Sequence, residues 1–187
     1  VTYTFTGNIN DSIVVERDNI VVDGAGYIVQ GTGSGKGIDL EGRINVTVKN
    51  MNIKAFSYGI WLSGWYAAAL NNSILGNNIT NSQEGIRLLY ASNTVLRNNK
   101  MFNNTYNLCV FGRTWVIQNY VHDIDASNTV DGKPVYYWVN KQDMTIPADA
   151  GYVGLVNCTR IIVQNLSLTK NCQGVLLYLT SNTTISI

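Results

Sequence analysis

Apolar residues in this chain fall in short patches that alternate with polar or small ones. Ile74 alternates with Gly76, Ile86 with Leu88, and Val95 with Arg97. A period of two predicts strands, not helices. The stretch from Ser73 to Val110 is one unit written twice. Asn77 and Ile79 recur as Asn99 and Met101, and Gly85-Ile86-Arg87-Leu88 recurs as Asn107-Leu108-Cys109-Val110, both 22 residues on. A fixed period of short apolar patches and asparagines predicts a stacked solenoid, each unit forming one coil of a parallel β-helix.

The pattern extends in both directions. Residues 1–22 hold two alternating runs, and Asp23-Gly24-Ala25-Gly26 reads as a tight turn. The glycine-rich segment Gly31 to Gly37 ends in Gly-Lys-Gly, but a strand-like Ile38-Asp39-Leu40 follows where a phosphate-binding loop would open a helix, so it is expected to link coils. Gly59 precedes Gly85 by 26 residues, and the extra residues fit Trp65-Tyr66-Ala67-Ala68 as an outward loop. The count breaks at 122–151, which holds five of the nine aspartates and both prolines. It resumes at Gly154 and again at Gly174. The interruption is therefore expected to decorate one coil of a single domain spanning 1–187. The last residues read as the first half of a further coil, which suggests part of a longer array or an end covered by another chain.

Composition sharpens this picture. Charged residues are 13% of the chain, and asparagine, with 24 copies, takes their place. Asparagine suits a solenoid because it tolerates positive φ at turns and its amide can bond to the coils above and below. Asn50, Asn77, Asn99, Asn119 and Asn165 fit such a ladder, and Gly59, Gly85 and Gly174 fit a second turn of positive φ. A net charge of +1 argues against nucleic acid and against an anionic membrane. No apolar run reaches the ~20 residues that cross a bilayer, so no membrane insertion is expected. Cys109, Cys158 and Cys172 lack metal-ligand spacing. They are read first as small core residues, with one disulfide open to any two on adjacent coils.

The runs VVDGAGYIVQGTGSGKGIDL (21–40), NVTVKNMNI (45–53), GIWL (59–62) and ILGNNITNSQEGIRL (74–88), together with VDGKPVYYW (130–138), GYVGLVNC (151–158) and IIVQNLSLTKNCQGVLL (161–177), resemble the NosD-like right-handed parallel β-helix family. That resemblance covers nearly the whole chain. It implies an all-β fold related to pectin-lyase-like carbohydrate-binding and sugar-hydrolase β-helices, found in archaeal and bacterial proteins of the cell surface or outside the cell. The namesake of the family takes part in copper-site maturation. With one His, three Met and three scattered Cys, this chain has no soft-ligand cluster in its sequence, so no metal or other cofactor is expected.

Four constellations could carry chemistry. Asn-X-Ser/Thr occurs at Asn10, Asn45, Asn71, Asn78, Asn103, Asn157, Asn165 and Asn182, which are glycan acceptors if the protein is exported. The interruption brings His122, Asp123 and Asp125 close in sequence, the set that would serve a polysaccharide lyase, epimerase or hydrolase. Calcium, the one cofactor with any donors there, would rest on Asp123, Asp125 and Asp131. Asp131, Lys133, Tyr136, Tyr137 and Trp138 mix carboxylate, cation and aromatic faces, as sugar sites do, and Trp65 and Tyr66 form a second aromatic pair beside Trp61 and Tyr90. Polygalacturonase-like signatures are missing: Asn128-Thr129 is followed by Val130, and no two aspartates are adjacent. The expectation is a non-catalytic, extracellular or cell-surface β-helix with a structural or adhesive role, for which a polysaccharide or glycan is a candidate partner. Alternatives are an enzyme acting through 122–138 and a filament or surface layer built by self-association of the coil ends.

Overall fold

A computed structural model describes residues 1–186. Short strands wind around one core in three parallel sheets. Sheet A stacks Thr2–Thr4, Val21–Asp23, Thr47–Lys49, Ser73–Leu75, Val95–Arg97 and Asp123–Ile124. Sheet B stacks Ile28–Gln30, Asn52–Lys54, Asn78–Thr80, Lys100–Phe102 and Thr129–Val130 before it continues into a second stack. Sheet C stacks Ile13–Val14, Lys36–Asp39, Tyr58–Ser63, Glu84–Leu89 and Tyr106–Phe111. The protein is an all-β parallel β-helix of about eight coils.

Register explains the apolar pattern. Val48, Ile74 and Leu96 stack in sheet A, Ile53, Ile79 and Met101 in sheet B, and Ile60, Ile86 and Leu108 in sheet C. All nine are sealed from solvent and form one core. At Val95-Leu96-Arg97 the inward residue is Leu96, one position off the expected phase. The repeat is 22 residues where the two matched coils meet, but 26 and 29 on either side. The strands keep their register because outward loops, such as Trp65 to Ala68, absorb the difference.

Asparagine forms two ladders. Inside, Asn99 Oδ1 accepts from the Asn77 backbone N–H and from Asn77 Nδ2, both at 3.1 Å. Asn128 Oδ1 accepts from Asn99 in the same two ways, at 3.2 and 2.8 Å. The same amides donate back to the carbonyls of Val48, Ile74 and Leu96. Outside, Asn19, Asn45, Asn71 and Asn93 all stand at positive φ and link by amide pairs such as Asn93 Nδ2 to Asn71 Oδ1. Asn77 and Asn99 are thus ladder residues as expected. Asn50 instead lies one position earlier, on the outer turn at φ 56°, and Asn119 serves a different corner by donating to the Tyr90 carbonyl. Asn165 is a positive-φ turn residue of the second stack.

The glycines differ from expectation in kind. Gly59 and Gly85 lie within strands and are not at positive φ. A Cβ on Gly59 would come within 2.4 Å of Ile79 Cγ2, and one on Gly85 within 2.5 Å of the Asn107 carbonyl oxygen. Close packing of stacked coils excludes a side chain there. Gly174 has open space around it and shows no structural requirement for glycine.

The interruption at 122–151 is where the count predicts, but its centre is a reversal. Asp131 (φ 47°) and Gly132 (φ 83°) make a two-residue turn with both residues left-handed. Lys133–Val139 then pairs antiparallel with Thr129–Val130. Tyr152–Val156 and Val175–Tyr178 stack onto it in parallel, extending sheet B with reversed strands. Gln142–Thr145, Thr159–Gln164 and Thr184–Ser186 form a fourth sheet facing it. A second core, with Val153, Leu155, Ile161 and Val163, lies between them. The reversed strands serve both cores: Val135, Tyr137, Tyr152 and Val156 belong to the first.

The cysteines divide. Cys158 is a buried free thiol, as expected of a core residue. Cys109 and Cys172 instead form a disulfide across 63 residues. It holds the 170–173 segment along the last strand of sheet C, where Asn107 N–H donates to the Lys170 carbonyl and Gln173 Nε2 to the Val110 carbonyl (2.9 Å).

Asn99→Ala strips partners from the Asn77 N–H and the Ile74 carbonyl inside the core. It is expected to lower unfolding free energy by about 3 kcal/mol, whereas Asn93→Gly in the exposed ladder loses less than about 1 kcal/mol. Equilibrium urea unfolding measures both. Cys172→Ser opens the 63-residue loop. By chain entropy it is expected to lose about 4 kcal/mol in the same assay.

Candidate functional site

The structure separates the residues grouped by the 122–138 sequence. His122 immediately precedes the Asp123–Ile124 strand, and it is buried where Asp123 is exposed. His122 is buried: its Nε2 donates to the Asn119 carbonyl (3.1 Å), and its Nδ1 accepts from the Thr94 N–H (3.4 Å). Burial holds its pKa down at about 4, against the pull of the Asn119 carbonyl, so the ring is neutral at pH 7. Asp123 and Asp125 are exposed, and both pair with Arg97, Asp125 at 3.0 Å. The imidazole sits in the core while the carboxylates sit outside and are neutralised. That arrangement cannot serve acid–base chemistry on a common substrate.

The binding set divides as well. Asp131 is the turn of the reversal, and its carboxylate accepts from the Asn103 N–H and Asn107 Nδ2 at 3.1 Å each. Lys133 is exposed beside it. Tyr137 points into the first core, where its hydroxyl donates to the Tyr120 carbonyl (2.6 Å), while Tyr136 and Trp138 pack against the second. Strand alternation splits the three aromatics between two cores.

Trp65 and Tyr66 do lie at a cleft. Trp65 stacks on Tyr90, with ring centroids 5.2 Å apart and planes inclined by 26°. The Arg113 guanidinium sits 4.6 Å over the Tyr90 ring. Tyr66, Ser92 and Asn119 complete a hollow of about 340 Å³. Tyr66 is 87% exposed and Trp65 51%, so both rings meet solvent. Tyr90 adopts φ 55°, a costly conformation for a bulky residue. Its N–H donates to the Phe111 carbonyl (2.7 Å) and its carbonyl accepts from Asn119 Nδ2 (3.2 Å), which fixes the backbone that carries the ring. Arg113 was not among the expected residues. It is distant in sequence from Trp65, and only coil stacking brings it over Tyr90.

The aromatic stripe continues along the outer face of sheet C. Arg87 lies over Tyr58, Trp61 and Phe111, at 5.6, 5.2 and 4.7 Å. Glu84 accepts from Arg87 at 2.7 Å, yet burial raises its pKa more than Arg87 lowers it. Of the sequon asparagines, Asn78 is half-buried and bonded to Asn52, and the other seven are exposed. Asn45, Asn71 and Asn157 already engage their amides in ladder pairs.

Residues 14–134 match the family described as Periplasmic copper-binding protein (NosD). The chain belongs to the NosD family. No curated protein and no solved structure matches it. A periplasmic family and a disulfide agree with an oxidising compartment outside the cytoplasm.

Copper in a NosD chain calls for converging imidazole or sulfur donors. Among the described residues, one group of His, Cys, Asp or Glu brings three ligand atoms together: Glu84, Cys109 and Cys172. Its two sulfurs are bonded to each other. Both ring nitrogens of His122 are engaged, Cys158 Sγ contacts the Trp138 and Val156 carbonyls in the interior, and Met51 and Met101 are core residues. The donors do not fit copper. Asp123, Asp125 and Asp131 likewise form no common cage for calcium, since the first two pair with Arg97 and the third caps backbone and amide groups.

His122 makes stability depend on pH. Its pKa is about 4 folded and about 6.5 unfolded, so between these values the unfolded chain holds the extra proton. Stability therefore rises with pH through this window and falls on acidification, by about 3 kcal/mol at most. Glu84, with its raised pKa, adds stability at low pH that is lost as pH rises, the opposite slope. Urea unfolding of the protein and of His122→Gln at pH 7 and pH 4.5 isolates the term: the difference in stability between the two should shrink at the acid end.

Proposed function

We propose that this NosD chain is a non-catalytic β-helix module outside the cytoplasm that binds a glycan in the Trp65–Tyr90–Arg113 cleft. The observation that carries this reading is the solvent-facing stack of Trp65 on Tyr90 with Arg113 over the ring. Aromatic faces take the C–H side of a sugar ring, and the guanidinium supplies donors to its hydroxyls. The burial of His122 away from Asp123 and Asp125 supports binding without turnover.

The test is calorimetric titration of the chain with a panel of neutral oligosaccharides. Trp65→Ala and Arg113→Ala should each weaken the best ligand roughly tenfold, the equivalent of about 1.4 kcal/mol. Unchanged affinity in both variants would remove the cleft from the reading, and depolymerisation of any panel member would remove its non-catalytic part.

End-on self-association is a second reading. It is favoured by an apolar hollow of about 360 Å³ at the first coil, lined by Phe5, Ile13, Val15 and Val22, beside Val14, which is 62% exposed. In sedimentation velocity, a concentration-dependent rise in mass that Val14→Asp abolishes would support it. A monomer at all concentrations would count against it.

A further inference from the structure

A different face of the solenoid gathers further unpartnered side chains. On the outer side of sheet B two adjoining hollows, of about 560 and 580 Å³, share Lys100 and Phe102. Inward residues Ile53, Ile79 and Met101 fix this face, so their neighbours Asn52 and Lys54, Asn78 and Thr80, and Lys100 and Phe102 all point outward in register. The strands step along the axis by about 4.8 Å, so the groove presents a polar group at a regular interval comparable with the rise of an extended sugar chain.

The two lysines of this sheet face are unspent. Among the described residues, the Lys54 and Lys100 ammoniums have no ion-pair partner, whereas Lys36 and Lys49 on other faces pair with Asp39 and Asp23. No acidic residue lines the first hollow. In the second, Asp131 is already held by Asn103, Asn107 and, at 3.9 Å, Lys170. The Asn78 amide donates to Asn52 Oδ1 (2.9 Å), and Asn52 donates to the Gly26 carbonyl (2.7 Å). This chain of amides holds the floor of the groove rigid. Phe102, 40% exposed, stands where the two hollows meet.

We propose that the outer face of sheet B binds a linear anionic glycan laid along the solenoid axis, with Lys54 and Lys100 meeting its acidic groups and Phe102 stacking on a sugar ring. Two uncompensated cations select an anionic chain over a neutral one. The aromatic face and the amide floor give it sugar character beyond plain charge. The surface lies on a different sheet from the Trp65 cleft and does not depend on it.

The probes are a polygalacturonate oligosaccharide and a heparin oligosaccharide, which separate carboxylate from sulfate, with dextran as the neutral control and single-stranded DNA of matched charge as the nucleic-acid control. Calorimetry on the intact chain should show binding to one or both acidic glycans and none to dextran, weakening as salt rises. Lys54→Gln/Lys100→Gln should weaken it roughly tenfold or more, Lys54→Arg/Lys100→Arg should restore it, and Phe102→Ala should weaken it several-fold. Trp65→Ala should leave it unchanged, so failure of this surface and failure of the cleft give different results. Thermal melts of each variant check that the fold is intact. The proposal is overturned by no binding to either acidic glycan, by equal or tighter binding of the DNA, or by affinity indifferent to the lysine and Phe102 changes.

Discussion

Everything in this molecule depends on parallel register between successive coils, and the buried Asn77–Asn99–Asn128 ladder is its clearest physical enforcer. A buried amide left without partners is costly, while one that meets both the backbone and the next amide is satisfied on every side. Slipping one coil by a single residue would turn Asn99 outward and bring a solvent-side residue into the core. The apolar ladders supply the larger share of burial, but they are less specific. Ile, Met and Val exchange freely along sheet B, at Ile79, Met101 and Val130, because a stacked core asks only for apolar volume. The amides ask for one geometry.

That register also decides where the first stack stops. The left-handed turn at Asp131–Gly132 sends the chain back on itself, and the reversed strands close the first core with Tyr137 and Tyr152 while opening a second with Val153 and Leu155. A parallel solenoid exposes its core at each end, and a sheet with two apolar faces is one way to cover it. The Cys109–Cys172 disulfide fastens the 170–173 segment over the last strand of sheet C. The interruption in the repeat is thus a structural device. His122, Tyr137 and Asp131, which in sequence resemble an active-site cluster, are occupied in making it.

Side chains free to meet a ligand accordingly lie on the outer walls. On a solenoid, residues one coil apart become neighbours, so an outer face gathers side chains that no local motif connects. Arg113 over Tyr90 and Lys54 beside Thr80 and Phe102 are of this type. Trp65 and Tyr66 could be singled out from the sequence because two large aromatics in an exposed loop have no core to fill. Lys54, Lys100 and Phe102 could not, since each is an ordinary outward residue of its own strand.

By itself the sequence determined the architecture. Period-two alternation identified strands, the doubled unit at 73–110 identified stacking, and the break at 122–151 identified where the stack changes. These are local or nearest-coil properties, and one-dimensional information suffices for a fold that is nearly one-dimensional. Only the tertiary structure decided the rest. It showed which face each residue takes after the reversal, because a two-residue turn inverts the strand direction and divides Tyr136, Tyr137 and Trp138 between two cores. It set the cysteine pairing, because Cys109 and Cys172 meet only when the second stack folds over sheet C. It assigned the glycines their role, because the crowding at Gly59 and Gly85 comes from neighbouring coils and not from their own backbone angles. Contacts between distant coils depend on loop lengths and on the placing of one turn, and no local pattern of residues records them.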